Sequence, residues 1–385
     1  MKSSRRGLRV ALLVLAFASL PGLASAATWT GSALNNPYGI NTTQFYGVSC
    51  YSWTACTAAG AAQDSNWIEG ALAETWNGAS WTAPGGVVRN PGPKNGILRG
   101  VSCAAATACM TVGSYETSSG VRAIMAQAQN GSNWTLWNIG IPPGATQGEF
   151  NDVYCRASDS CLAVGHRMLS GDNKAYAMTY NGSAWGETTP VAKSNATFKG
   201  VSCVSAGFCM AVGSTGTSPM AQIWNGFGWT ATAQPPVPGS WNSAVLNAVH
   251  CVSENWCMAT GTLRRSEGGT TYYRPFADIW NGSTWTTTPG VPWGNNSEGL
   301  AFGISCLSST ECWIVGEGRW GSSLRPWAVR WTGYTWEIQS IPLVPNAEGA
   351  QLRDISCTAS YKCKAVGWSL FGGPTPIALV ETVTP

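Results

Sequence analysis

GVSCYSWTACTAAG, residues 47–60, decides the fold, because the same pattern returns six more times along the chain. The later copies are GVSCAAATACMTVG (100–113), DVYCRASDSCLAVG (152–165), GVSCVSAGFCMAVG (200–213), AVHCVSENWCMATG (248–261), GISCLSSTECWIVG (303–316) and DISCTASYKCKAVG (354–367). Successive first cysteines lie 53, 52, 48, 48, 55 and 51 residues apart. That period matches propeller blades and is too long for leucine-rich or ankyrin repeats. Each copy is C-x5-C, and the seven copies use all 14 cysteines. The recurring spacing makes each pair natural partners across one hairpin: Cys50 with Cys56, Cys103 with Cys109, Cys155 with Cys161, Cys203 with Cys209, Cys251 with Cys257, Cys306 with Cys312 and Cys357 with Cys363. A zinc site would use two to four intervening residues and two such pairs, so no metal is expected. In the chain-entropy account each short loop contributes on the order of 2 kcal/mol.

A second hairpin follows each of the first six cysteine pairs. It reads ETWNGASW (74–81), AQNGSNW (128–134), TYNGSAW (179–185), IWNGFGW (223–229), IWNGSTW (279–285) and RWTGYTW (330–336). Asn-Gly between apolar stretches marks a tight turn, both residues tolerating positive φ. Each repeat is therefore four strands: A carries the first cysteine, B the second, C ends at Asn-Gly, and D starts near the following Trp. Helical periodicity is absent beyond the N-terminus, so the expected fold is an all-β propeller of seven four-stranded antiparallel blades. The last repeat stops after strand C, at IALVETVTP, while Ala27-Thr28-Trp29-Thr30 matches the strand D opening Ala79-Ser80-Trp81-Thr82. The N-terminal strand should close the last blade and remove the free sheet edges of an open array.

Residues 1–26 read as a secretory signal: Lys2, Arg5, Arg6 and Arg9, an apolar ALLVLAFASL, then Ala24-Ser25-Ala26 before cleavage at Ala27. General secretion is preferred to twin-arginine export because Arg9 stands where the latter needs an apolar residue. Residues 27–385 are then one propeller. Secretion, or a periplasmic location, suits the paired cysteines. The chain has 22 basic and 19 acidic residues; four basic ones leave with the signal, so the mature balance is 18 against 19. No basic run remains to bind nucleic acid, and no second apolar segment is long enough to span a membrane.

The paired hairpins resemble BNR or Asp-box propeller repeats, including those of photosystem II assembly-factor-like and sialidase-type propellers. The resemblance rests on A-V-G closing strand B and on G-x-[ST]-W at Gly78–Trp81, Gly282–Trp285 and Gly333–Trp336. Where that family has its aspartate, two residues before the glycine, this chain has Trp76, Trp280 and Trp331. The box is a structural turn, so the resemblance implies blades and says nothing about catalysis. The arginine cluster, tyrosine nucleophile and acidic base of sialidases have no counterparts, and YRPFA (273–277) and LRPWA (324–328) read as the opening of strand C.

Chemistry-bearing residues are few. His250 takes a strand A slot that is serine in other blades; His166, beside Arg167 and near Asp172, fits a general base or a polar loop equally. No nucleophile elbow, phosphate loop or metal-spaced set appears, and no cofactor is expected. Carboxylate-pair hydrolysis stays open, since paired acids from different blades leave no signature. Tryptophan is enriched, at 21 residues. Those in the hairpin motif should fill space between blades, whereas Trp67, Trp137, Trp241, Trp293, Trp320 and Trp368 lie outside it. Connections B–C and D–A should share one disk face and carry the sequence variation, as functional loops on a rigid scaffold do. The residues two before each strand A Val or Ile should ring the channel mouth there: Tyr46, Arg99, Asn151, Lys199, Asn247, Phe302 and Arg353. With Trp320 and Trp368 they form the candidate site. The expectation is a secreted monomer binding extracellular carbohydrate. The alternatives are an extracellular protein-interaction or assembly scaffold, and a polysaccharide hydrolase or lyase.

Overall fold

A computed structural model describes residues 27–385 except 35, 37–39, 67, 83–93, 295–297 and 374. The signal expected over 1–26 and Trp67 lie outside the described residues. Seven four-stranded antiparallel sheets follow one another as the blades of a propeller. Blade 4 is typical, with strands Ala196–Ser205 (A), Phe208–Thr215 (B), Ser218–Trp224 (C) and Trp229–Ala231 (D). Strand B is buried almost throughout, which explains its apolar FCMAVGS run; strand D is short and half open. Among the described residues no helix is long and apolar enough to cross a membrane.

In every blade the two cysteines stand directly opposite each other on strands A and B, as Cys50↔Cys56 and Cys203↔Cys209 do. All seven hairpin disulfides are formed and no free cysteine remains. Closure is as the ends of the chain suggest: Thr28–Ala33 is the fourth strand of the last blade, with Trp29 opposite Val383 and Ala33 opposite Leu379. Trp29 is buried and meets Trp313 edge-on at 6.1 Å.

The Asn-Gly turns depart from expectation. Only the glycine takes positive φ, as at Gly78, Gly226 and Gly282, and none of the asparagines before them does. Trp76 pairs with Trp81, so the loop is four residues long, and Asn77 Oδ1 accepts the amides of Ala79 and Ser80 at 2.9 Å each. The asparagine therefore caps the turn with its side chain and needs no left-handed backbone. The tryptophans at the box aspartate position also have a task. The indole N–H groups of Trp76, Trp280 and Trp331 donate to the A–B turn carbonyls of Trp53, Glu254 and Ser309 at 3.1–3.2 Å, tying the two turns of one face together. Strand D tryptophans tie blades: Trp229, Trp285 and Trp336 donate to Thr188, Thr232 and Thr288 of the preceding blade.

Candidate functional site

The innermost strand of each blade carries one residue too many. Pairing of A with B runs in register to Phe45↔Gly60, then resumes at Gly47↔Ala59, leaving Tyr46 unpaired. The same slip leaves Arg99, Asn151, Lys199, Asn247, Phe302 and Arg353 unpaired in the other six blades. Such a bulge re-aims one side chain. Here the preceding residue, Phe45, Leu98 or Phe198 for example, goes fully into the core, and the bulged residue turns to the channel. The glycine ending each A-V-G opposes this kink. At Gly60, Gly113 and Gly213 the space for a Cβ is taken by the backbone carbonyls of Gln44, Ile97 and Thr197, so the repeated glycine is a requirement of the bulge.

All seven bulge residues line one cavity of about 210 Å³ on the propeller axis. Deeper in the same cavity lies a second ring: Ser49, Ser102, Tyr154, Ser202, His250, Ser305 and Ser356. Each serine accepts the first-cysteine amide of the next blade, as Ser49 does from Cys103 at 3.0 Å and Ser356 from Cys50 at 2.9 Å. Tyr154 and His250 interrupt this belt. Burial holds His250 down to about 4, so it is neutral. Asp152 staples the junction that Tyr154 leaves open, and Asp354 adds a second staple to the one Ser356 makes. Asp152 accepts the amides of Val153 and Val201 at 2.8 Å each; Asp354 accepts those of Ile355 at 2.8 Å and Val48 at 2.9 Å. Enclosure by the channel wall raises both carboxyls to about 7 despite these bonds, and Asp354 adds to the rise at Asp152.

The mouth ring contains three cations, two amides, two aromatics and no acid. Arg99 is paired with Glu149, which Arg122 also reaches at 3.1 Å, and its guanidinium lies 5.7 Å over the Tyr46 ring. Tyr46 Oη donates to Gln44 at 2.8 Å. Arg353 lies 4.2 Å over Phe302. With its amide oriented to satisfy its neighbours, Gln351 accepts from Arg353 Nε and Nη2 at 2.9 Å each and from Trp368 Nε1, and donates to Glu317. Asn151 and Asn247 donate to the carbonyls of Phe198 and Ala301 in the next blade, at 2.6 and 2.8 Å. Lys199 is open to the cavity.

The nine sequence-predicted residues thus divide. Seven converge, while Trp320 and Trp368 do not line the cavity. Trp320 ends strand B of blade 6, 64% exposed. Trp368 stands behind Arg353, its indole N–H donating to the Gln351 oxygen that also accepts from Arg353. Sequence reasoning missed Gln44, Glu149 and Gln351, which orient Tyr46, Arg99 and Arg353. All three lie two residues before a bulge position, so a polar residue interrupting the apolar approach to strand A was an available signal. His166 stands opposite Glu149, and burial lowers it below its ordinary value, against the pull of that carboxylate. No group of three or more His, Cys, Asp or Glu residues able to hold a metal occurs among the described residues.

No family model matches the chain, and no curated protein does. Solved structures match it in fold. YCF48, solved bound to D1 peptide, is 11% identical with a TM-score of 0.55, covering 95% of this chain and 100% of that one. U3-55K is 10% identical with a TM-score of 0.55, covering 91% and 98%. A protein of unknown function from Dyadobacter fermentans DSM 18053 is 11% identical with a TM-score of 0.53, covering 94% and 100%. At these identities the likeness is one of fold.

Proposed function

We propose that this is a secreted binding module that takes an extracellular carbohydrate at the channel mouth. One observation carries the reading: seven equivalent bulges deliver five kinds of side chain, amide, aromatic and cationic, to the wall of one open polar cavity. Five of them are held before any ligand arrives, Arg99 by Glu149, Arg353 by Gln351, Tyr46 by Gln44, and Asn151 and Asn247 by the next blade's carbonyls, which lowers the ordering cost of binding. Amides and guanidinium groups answer sugar hydroxyls, and Tyr46 and Phe302 offer ring faces or edges to a pyranose. The seven disulfides suit an oxidising compartment. A hydrolase gains less support, because the channel carboxylates are engaged: Glu149 by two arginines, Asp152 and Asp354 by backbone amides.

A broad glycan array tests this. Wild type should bind a defined set of glycans, and Asn151→Ala together with Phe302→Ala should lose them, while Asn225→Ala, in a turn on the opposite face, keeps them. An array with no hits, or loss caused by the turn variant alone, would remove the assignment.

A further inference from the structure

We infer that the sugar taken at this site is acidic, carrying a carboxylate or sulfate held jointly by Arg99, Lys199 and Arg353; this rests on the channel-mouth reading above. The three cations come from blades 2, 4 and 7, and all line the one cavity. They are close enough to feel one another. Enclosure lowers the Lys199 ammonium first, then Arg99; Glu149 opposes, and Arg353 lowers it further. Lys199 has exposed surface, but that surface lies inside the cavity, where the surrounding wall removes most bulk solvation. Arg353 is likewise lowered by enclosure, with Glu317 and Tyr46 opposing and Arg99 adding to the fall.

The available counter-charge points elsewhere. Glu149 is buried and divided between Arg99 and Arg122, the charges of the same two arginines act on Glu69, and Glu317 is engaged by Gln351. Asp152 and Asp354, deeper in the channel, are directed at strand amides. Lys199, alone of the three, makes no hydrogen bond to a described residue, so its donors face the cavity. Two arginines fixed by Glu149 and Gln351 and stacked over Tyr46 and Phe302 beside a free ammonium form a receptor for a planar or tetrahedral oxyanion. A neutral sugar relieves none of the mutual repulsion; an anion relieves all three pairs at once.

The test is an array of matched pairs, uronic acid and sulfated oligosaccharides beside their neutral parents, followed by calorimetry on the best acidic member. Acidic members should bind at least about tenfold tighter than their parents, the strength of one charged hydrogen bond. The preference should shrink as salt is added. Lys199→Gln should remove about tenfold of affinity for the acidic sugar and little for the neutral parent. Arg353→Lys should lower it as well, because a lysine loses the paired donors. An unchanged thermal midpoint confirms that both variants fold. Equal binding of acidic and neutral members would overturn the acidic assignment and leave the carbohydrate reading standing; no sugar binding would end both. Inorganic phosphate competing as strongly as the whole sugar would assign the site to a free anion and also overturn the proposal, as would binding of an acidic peptide alone.

Discussion

Replacing Glu381 by glutamine should flatten the dependence of stability on pH. Glu381 sits in strand C of the last blade opposite Gly31, fully buried, and neither carboxyl oxygen has a hydrogen-bond partner among the described residues. Blade 4 shows how the same position is satisfied: Gln222 donates to the Val191 carbonyl at 3.0 Å and accepts the Val191 amide at 2.9 Å. Burial raises Glu381 from 4.5 to about 8, so the folded protein holds it as the neutral acid. A raised folded value means its contribution is complete below the unfolded value and is lost as pH climbs through about 8. At about 1.4 kcal/mol per unit, the loss between roughly pH 4 and pH 9 approaches an upper bound of about 5 kcal/mol. Guanidinium unfolding with disulfides intact, at about pH 5 and pH 9, reads this directly. Wild type should fall in stability toward alkaline pH; Glu381→Gln should fall less and exceed wild type at pH 9 by a few kcal/mol. A residual slope should persist, because burial also raises Glu74 and Asp278 to about 7. Parallel pH profiles for the two proteins would refute the reasoning.

Trp29→Ala should cost about 3–5 kcal/mol, the usual loss for a buried large aromatic, and deleting 27–34 should bare the strand Pro376–Thr384 as an apolar edge that self-associates; a monomer with unchanged midpoint would refute the closure argument. Asn281→Ala removes the acceptor for the amides of Ser283 and Thr284 and should lower stability by about 1 kcal/mol with glycan binding unaltered. Loss of binding in that variant would place the ligand on the opposite face.

Legibility followed repetition. Cysteine spacing, Asn-Gly turns and the split last blade recur or complement one another at fixed intervals, and Cys50↔Cys56, Trp76↔Trp81 and Trp29↔Val383 pair as the pattern requires. The seven mouth residues were recognisable as the variable slot beside a constant motif. Their geometry was not, because the bulge shows only as a one-residue slip in strand alternation, Phe45 and then Val48 turning inward, and a slip in phase does not say where the extra side chain points. Which carboxylate or amide orients which cation depends on neighbouring blades: Arg99 meets Glu149, fifty positions away. The bond from Trp368 to Gln351 lies within one blade and was hidden for another reason, since the letter W does not say which acceptor the indole N–H will find.

The seam has a consequence in time. Six blades are built from contiguous chain and can form as it emerges, but Trp29 waits for Val383, 354 positions later. Until then the amides of Val48 and Cys50 lack Asp354 and Ser356, and the first blade has no neighbour on one side. The slow event in maturation should therefore be annular: a nearly finished arc that must bring its two ends together, while every disulfide, being local, can already have formed. Moving residues 27–34 behind residue 385 would turn the pairing of Trp29 with Val383 into a short hairpin, while the first and last blades still have to meet, and the permuted chain should refold faster than the natural one to the same final stability.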